Sequence, residues 1–436
     1  MSAALSFEQA PPISVPYRFF LTGPLFGVAA GLLLGLEGET VVATRWAPAT
    51  FAVVHLVSAG FMLQVMSGAM LQFLPVAAGA NVWRPGLVAA LVHPSLTLGA
   101  AALVAGFLGA GRLAMQGAAV LLGAGATVFV AVTGVGLLRS PAIGPTLASL
   151  KGAVLGLAVT VGLGVTAVSV FGWGTGVPLL TLVHLHAAWG VGGWSLLLVT
   201  AVAYLVVPMF QLTPAYPVRF SRWLPVGLGG ALGTWTLGVV FEVKPLEWLA
   251  TALAVGVLVA FAGKTLRLQA QRKRKVLDTT FFAWRVGLGS LLAAAVLLGL
   301  LGFGPDALPR ARLEYLLGVA LFAGAFPSMM AGMLYKIVGF IDWLHLQRVM
   351  ANPPVMQKVL PDAQQRWQWR LAGLALLLLA GGALWPPLAR VGGLAFAAAC
   401  GLLEWHLVAA VRLYRRLAAA ARADVALQAR PLEGRP

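Results

Sequence analysis

The residues of this 436-residue sequence best suited to chemistry are its six histidines, three of which stand in apolar surroundings: His55 in VVHLVSAG, and His184 and His186 in LLTLVHLHAAWG. Neutral imidazole binds copper, zinc and iron and carries protons near neutral pH. Inside hydrocarbon such a residue usually faces the interior of a helix bundle and marks a cofactor, ion or proton site. The plainer alternative is a ring that hydrogen-bonds a carbonyl or an interfacial water. Positions two apart on a helix point about 200° away from each other, so His184 and His186 share one site only if that helix begins irregularly. After His55, a step of about 100° per residue returns Met62 and Met66 to within about 20° of it and Met70 to within about 60°. Thioether with imidazole suits copper, whereas methionine alone is also a flexible core filler. Glu404 and His406 flank Trp405 in an apolar segment near the end of the chain. A carboxyl group there is expected to be protonated or bonded to a neighbouring helix, which makes the two candidates for a proton relay. The other polar groups have blander readings: His93 satisfies carbonyls freed by Pro94, His345 is interfacial, Lys336 snorkels to the surface, and Tyr204 packs.

These side chains must be positioned by membrane-spanning helices. Ordinary soluble domains are about 45–50% apolar and about 25% charged, whereas this sequence is 60% hydrophobic and 10% charged, so it reads as an all-α polytopic membrane protein in contact with the lipid bilayer. The longest apolar stretch, Leu179–Gln211, crosses a bilayer with length to spare and carries the HLH pair near its start. Twelve spans are expected: Phe19–Leu36, Ala49–Pro75, Gly86–Leu108, Leu113–Leu138, Ala153–Phe171, Leu179–Gln211, Trp223–Phe241, Trp248–Leu266, Phe281–Leu301, Tyr315–Phe340, Leu371–Leu388 and Val391–Leu413. They make one transmembrane domain over residues 18–417, between an N-terminal lead, 1–17, and a tail, 418–436.

Charge orients this arrangement. With both termini cytoplasmic, the outer loops receive only Arg45, Arg112, Lys244, Arg310, Arg312 and Arg390 of the 30 basic residues, as the positive-inside rule requires. The formal charge of +17 therefore reports orientation, not nucleic-acid binding, and QRKRK at Gln271–Lys275 reads as a topogenic anchor or a contact for anionic lipid. The start of the chain lacks a basic region before its first apolar run and a small-residue cleavage site, so no cleavable signal peptide is expected. The one cysteine, Cys400, excludes an intrachain disulfide or a thiolate cluster and reads as a small packed hydrophobe. On this topology His55, His184 and His186 each lie about 10 Å beneath the outer surface and could share a layer, with His93, His345 and His406 toward the inner side.

Twelve spans with both ends inside, a histidine in HLxxxG near the outer end of the second and another near the outer end of the sixth resemble the catalytic subunit of the haem-copper oxidase superfamily. More closely, HLVSAGFMLQVMSGAMLQFLPVAAG, the HLH segment ending VVPMFQLTP, and GMLYKIVGFIDWLHLQ are similar to small bacterial members of that superfamily that neighbour the nitric-oxide-responsive haem-copper membrane proteins. The resemblance implies a bacterial inner-membrane protein. It places His55 at the second-helix ligand of low-spin haem and His184 or His186 at the sixth-helix copper ligand. The sequence departs from the oxidases elsewhere: Trp223–Phe241 lacks their seventh-helix histidine pair, Tyr315–Phe340 lacks their two tenth-helix haem ligands, and Ala187 and Ala188 stand where proline and glutamate usually follow. A complete oxygen-reducing centre is therefore not expected.

Two function classes follow. One is a haem- or copper-binding protein of redox chemistry or gas handling, with His55, His184 and His186 as cofactor ligands and Met62 and Met66 as further copper ligands. The other is a twelve-helix transporter, metal transport included, for which Gly- and Pro-interrupted helices speak and the lack of similarity between the two halves speaks against. Whether the protein catalyses a reaction, and with which electron donor or partner subunit, is open at this level. No phosphate loop, soluble catalytic constellation or nucleic-acid module is visible in the sequence.

Overall fold

The computed structural model describes residues 9–273, 277–305, 307 and 309–428. Among them there is no strand, and twelve helices follow one another in antiparallel succession: α1 Ser14–Ala43, α2 Pro48–Ala78, α3 Pro85–Ala110, α4 Arg112–Arg139, α5 Pro145–Trp173, α6 Leu179–Gln211, α7 Val218–Val240, α8 Lys244–Ala270, α9 Thr279–Phe303, α10 Arg310–Leu346, α11 Asp362–Gly381 and α12 Pro387–Gln428. A single helical turn, Met356–Val359, lies in the α10–α11 connection. All but α11 are long and apolar enough to cross a membrane, where a helix satisfies its own backbone without water. The chain is a multi-pass membrane protein. Proline opens α2, α3, α5 and α8 within their first turn, where its missing N–H costs nothing. Gly79 and Gly174 end α2 and α5 in the left-handed conformation.

α11 differs from the span expected at Leu371–Leu388. Its first half holds Asp362, Gln365, Arg366, Gln368 and Arg370, its apolar half begins at Leu371, and the helix stops at Gly381. Two adjacent glycines and then Pro386–Pro387 prevent it from continuing, and the chain turns into α12. The hydroxyl of Tyr315 on α10 holds this end by donating to the Leu379 carbonyl over 2.6 Å. α12 runs on past residue 417 as one helix to Gln428. Of the basic loop Gln271–Lys275, the last two residues lie outside the described ones, as do most of the N-terminal lead and the end of the tail.

Burial divides the helices into two classes. The apolar stretches of α2, α6 and α10 are 72%, 67% and 72% buried, against 22–50% for the other eight spans. Inner helices therefore recur at every fourth position, and the rest pack in sequence as a wall of α11–α12–α1, α3–α4–α5 and α7–α8–α9. The wall closes where the last helix meets the first. A side chain on Gly31 of α1 would stand 2.4 Å from the Ala397 nitrogen, and one on Gly393 of α12 would stand 2.8 Å from the Gly31 carbonyl oxygen, so small residues let these backbones touch. Each inner helix also carries a stretch of π-helix, at Leu56–Met62, Trp189–Leu196 and Ala320–Ala325, a feature frequent at functional sites.

Candidate functional site

The π-helical stretches begin just past the residues that matter. His55 immediately precedes the first, and His186 lies three residues before the second. A cleft of about 1720 Å³ runs from these two rings toward the end of the bundle that holds Arg45, Lys244 and Glu314, with walls that include Phe107, Thr160, Gly164 and His184. The rings of His55 and His186 stand 6.0 Å apart, centre to centre, with their planes only 19° from parallel. Phe107 of α3 backs His55 at 5.3 Å.

Both rings are oriented by backbone carbonyls. Nδ1 of His55 pairs with the Phe51 carbonyl at 2.8 Å, and Nδ1 of His186 pairs with the Thr160 carbonyl at 2.9 Å. A carbonyl oxygen can only accept, so each Nδ1 carries a proton, and in the neutral ring each Nε2 presents a lone pair. Neither Nε2 has a hydrogen-bonding partner among the described residues. Such Nδ1 anchoring is the usual outer support of a metal-bound histidine.

α5 shapes the His186 position through three residues spaced four apart. A side chain on Gly156 would stand 2.1 Å from the Gly193 carbonyl oxygen of α6, Thr160 supplies the acceptor carbonyl, and a side chain on Gly164 would stand 2.8 Å from Cε1 of the imidazole. The small residues thus draw α6 against α5 and leave room for the ring. This stripe, in GLAVTVGLG, is visible in the sequence, but its partner helix is not.

The other candidates separate from this pair. The start of α6 is regular helix through Ala188, so His184 points elsewhere: its Nε2 accepts from Arg45 at 3.0 Å, and Trp46 lies 6.2 Å away. It sits at the rim of the cleft and not beside His55. Met62 and Met66 are 1% and 4% exposed, packed in the core and absent from the cleft wall. The face drawn through His55 and these methionines assumed 100° per residue, and the intervening π-helical stretch, with its wider turn, breaks that register. Glu404 has a buried carboxylate oxygen with no hydrogen-bond partner among the described residues, while His406 accepts at Nδ1 or donates from it to the Tyr335 hydroxyl of α10 at 3.0 Å. No hydrogen bond joins Glu404 to His406. Cys400 is free and buried, as a packing residue would be.

Two polar groups differ from their sequence readings, and a third has a partner that the sequence did not suggest. His93 pairs through Nε2 with the Thr22 hydroxyl at 2.7 Å, not with carbonyls around Pro94. Lys336 does not snorkel: it meets Asp278 at 3.0 Å, and Asp278 also accepts from the Phe281 amide to cap α9. Asp342 is fully buried and accepts from the Tyr17 hydroxyl of α1, a contact across the whole length of the chain that no local pattern announces.

The donor set is thus two neutral imidazoles, with no group of three or more His, Cys, Asp or Glu side chains gathered for a metal ion among the described residues. Two imidazoles whose ring centres lie 6.0 Å apart, each with Nδ1 held on a carbonyl and Nε2 unpartnered among the described residues, are donors of the kind that copper and haem iron accept. No protein-family model matches the chain, and no curated protein matches it.

Proposed function

We propose that this chain holds haem or copper between His55 and His186, in the outer part of the bilayer, and serves redox chemistry or the handling of a diatomic gas such as nitric oxide or oxygen. The observation that carries this reading is the pair of imidazoles, brought together from α2 and α6 with each Nδ1 fixed on a carbonyl and each Nε2 left to the cleft. The resemblance to the haem-copper oxidases implies the same two kinds of group, haem at His55 and copper at the sixth helix with His186 rather than His184 as that ligand, whereas here the two rings stand at one site. When bound, either metal would supply one-electron exchange, and copper held by two imidazoles would also keep a position for a small ligand. The chain's own part is to set the tautomers through Phe51 and Thr160, to clear space at Gly164, and to keep the surroundings apolar.

The recurrence of inner helices at α2, α6 and α10 supports three like arms around one centre. On the third arm the turn before the π-helical stretch is Leu317–Gly318–Val319, which offers no ligand. A side chain on Gly318 would meet nothing within 4 Å, so this flank is open to an external ligand. The same gap argues against oxygen reduction by this chain alone. Transport is the second reading, favoured by a cleft that runs toward the end of the bundle holding Arg45 and Glu314, but a repeat every four helices is not the pair of inverted halves common in transporters.

The test is expression with haem and copper both supplied, followed by an absorption spectrum and metal analysis of the purified protein. A haem spectrum or stoichiometric copper is the expected result. Protein free of both would overturn the reading and favour transport.

A further inference from the structure

One side chain at the outer end of the cleft joins three of its elements. Arg45 leaves the short α1–α2 connection and donates from Nη2 to Nε2 of His184 on α6 at 3.0 Å, while its Nε lies 3.4 Å from Glu314 on α10. Its guanidinium stacks over Trp46, 4.5 Å from the ring centre. Arg45, Trp46, His184 and Glu314 all line the cleft that descends to His55 and His186. From these contacts we infer that Arg45 is a latch that narrows the mouth of the cleft, and that small water-borne solutes reach the imidazole pair from the outer side faster when it swings away.

The moving part is the side chain and not the loop. The connection is braced on itself, because the Thr50 hydroxyl donates to the Thr44 carbonyl at 2.8 Å and the Trp46 amide donates to the Thr44 hydroxyl at 3.2 Å. The latch is weakly held. The Arg45 and Glu314 side chains are 41% and 20% exposed, and a pair that water can reach contributes little. Arginine has donors enough to leave one partner while keeping another, so opening needs no backbone rearrangement. The inference rests on the geometry of the mouth alone and holds whether the imidazole pair carries haem, copper or neither.

Accessibility of a cysteine inside the cleft tests it. Ser58 lines the wall one turn beyond His55; in a Cys400→Ala background, Ser58→Cys is reacted with a membrane-impermeant thiol reagent added to the outer side of reconstituted vesicles. Arg45→Ala should raise the labelling rate about tenfold, the hold of one exposed ion pair and one hydrogen bond together. Glu314→Gln, which keeps the arginine, should raise it in the same direction. A cysteine at the exposed outer position Gly176 should label at one rate in every background. Equal rates at Ser58→Cys with and without Arg45, or reaction there only with a lipid-soluble reagent in all variants, would overturn the latch.

Discussion

At His186 three neighbours on α5 decide where the imidazole points, and each can be changed separately. Gly164→Val would place a branched side chain where Cε1 now lies, 2.8 Å from the built Cβ, so the ring must turn and its Nε2 leaves the cleft. The expected outcome is at least tenfold weaker metal or haem retention with unchanged membrane yield, read by metal analysis and immunoblot. Thr160→Ser leaves the carbonyl acceptor in place and should change neither. His345, whose Nδ1 bonds the Ile341 carbonyl of its own helix, is far from the cleft, and His345→Ala should also leave occupancy unchanged. At this scale the sequence was half legible. An imidazole in a lipid-length apolar run is costly enough to mark His55, His184 and His186 as candidates, but the choice between two residues 200° apart depended on what each meets. Arg45 and Thr160, distant in sequence, made that choice.

Among the elements, the same close approach of small residues both closes the helix wall and builds the site. Gly31→Leu puts a side chain against the backbone of α12 at 2.4 Å, with no flexible group to yield. Overpacking of this kind typically costs about 1–3 kcal/mol, so a lower Tm in detergent is expected. Asp278→Ala removes the cap of α9 and the carboxylate that Lys336, 16% exposed, pairs with. Loss of a helix cap alone typically costs about 0.5–2 kcal/mol, so Asp278→Ala should also lower Tm in the same thermal assay. The helices themselves were legible from apolar run length. The π-helical stretches were not, because no residue pattern distinguishes LVSAGFM from ordinary helix, and one such stretch was enough to carry Met62 and Met66 out of register with His55. The shortening of α11 had a visible cause in Gly381–Gly382 and Pro386–Pro387, but the apolar residues on both sides of the turn hide it in a hydropathy reading.

Over the whole molecule, composition identifies a polytopic membrane protein, and loop charge predicts which side each loop faces. Cysteines replacing Lys273 and Arg366 should label only from the cytoplasmic side, and one replacing Asp306, which lies outside the described residues, only from the outer side. Label reaching the Asp306 position from the cytoplasm would break the alternation on which the twelve-helix topology rests. What composition could not supply is the division into inner and outer helices, since the mean hydropathies of α2, α6 and α10, 1.7, 1.9 and 1.7, fall inside the range of 1.3 to 2.3 set by the other spans. That division is what brings α2 and α6 together at His55 and His186, and the account stands on this pair. The most direct measurement is haem and copper content in the purified wild type and in His55→Ala, His186→Ala and His184→Ala, each normalised to inserted protein. The account predicts an occupied wild type, loss of occupancy in the first two variants and retention in the third. Full occupancy in His186→Ala, or loss in His184→Ala with His186 intact, would contradict it.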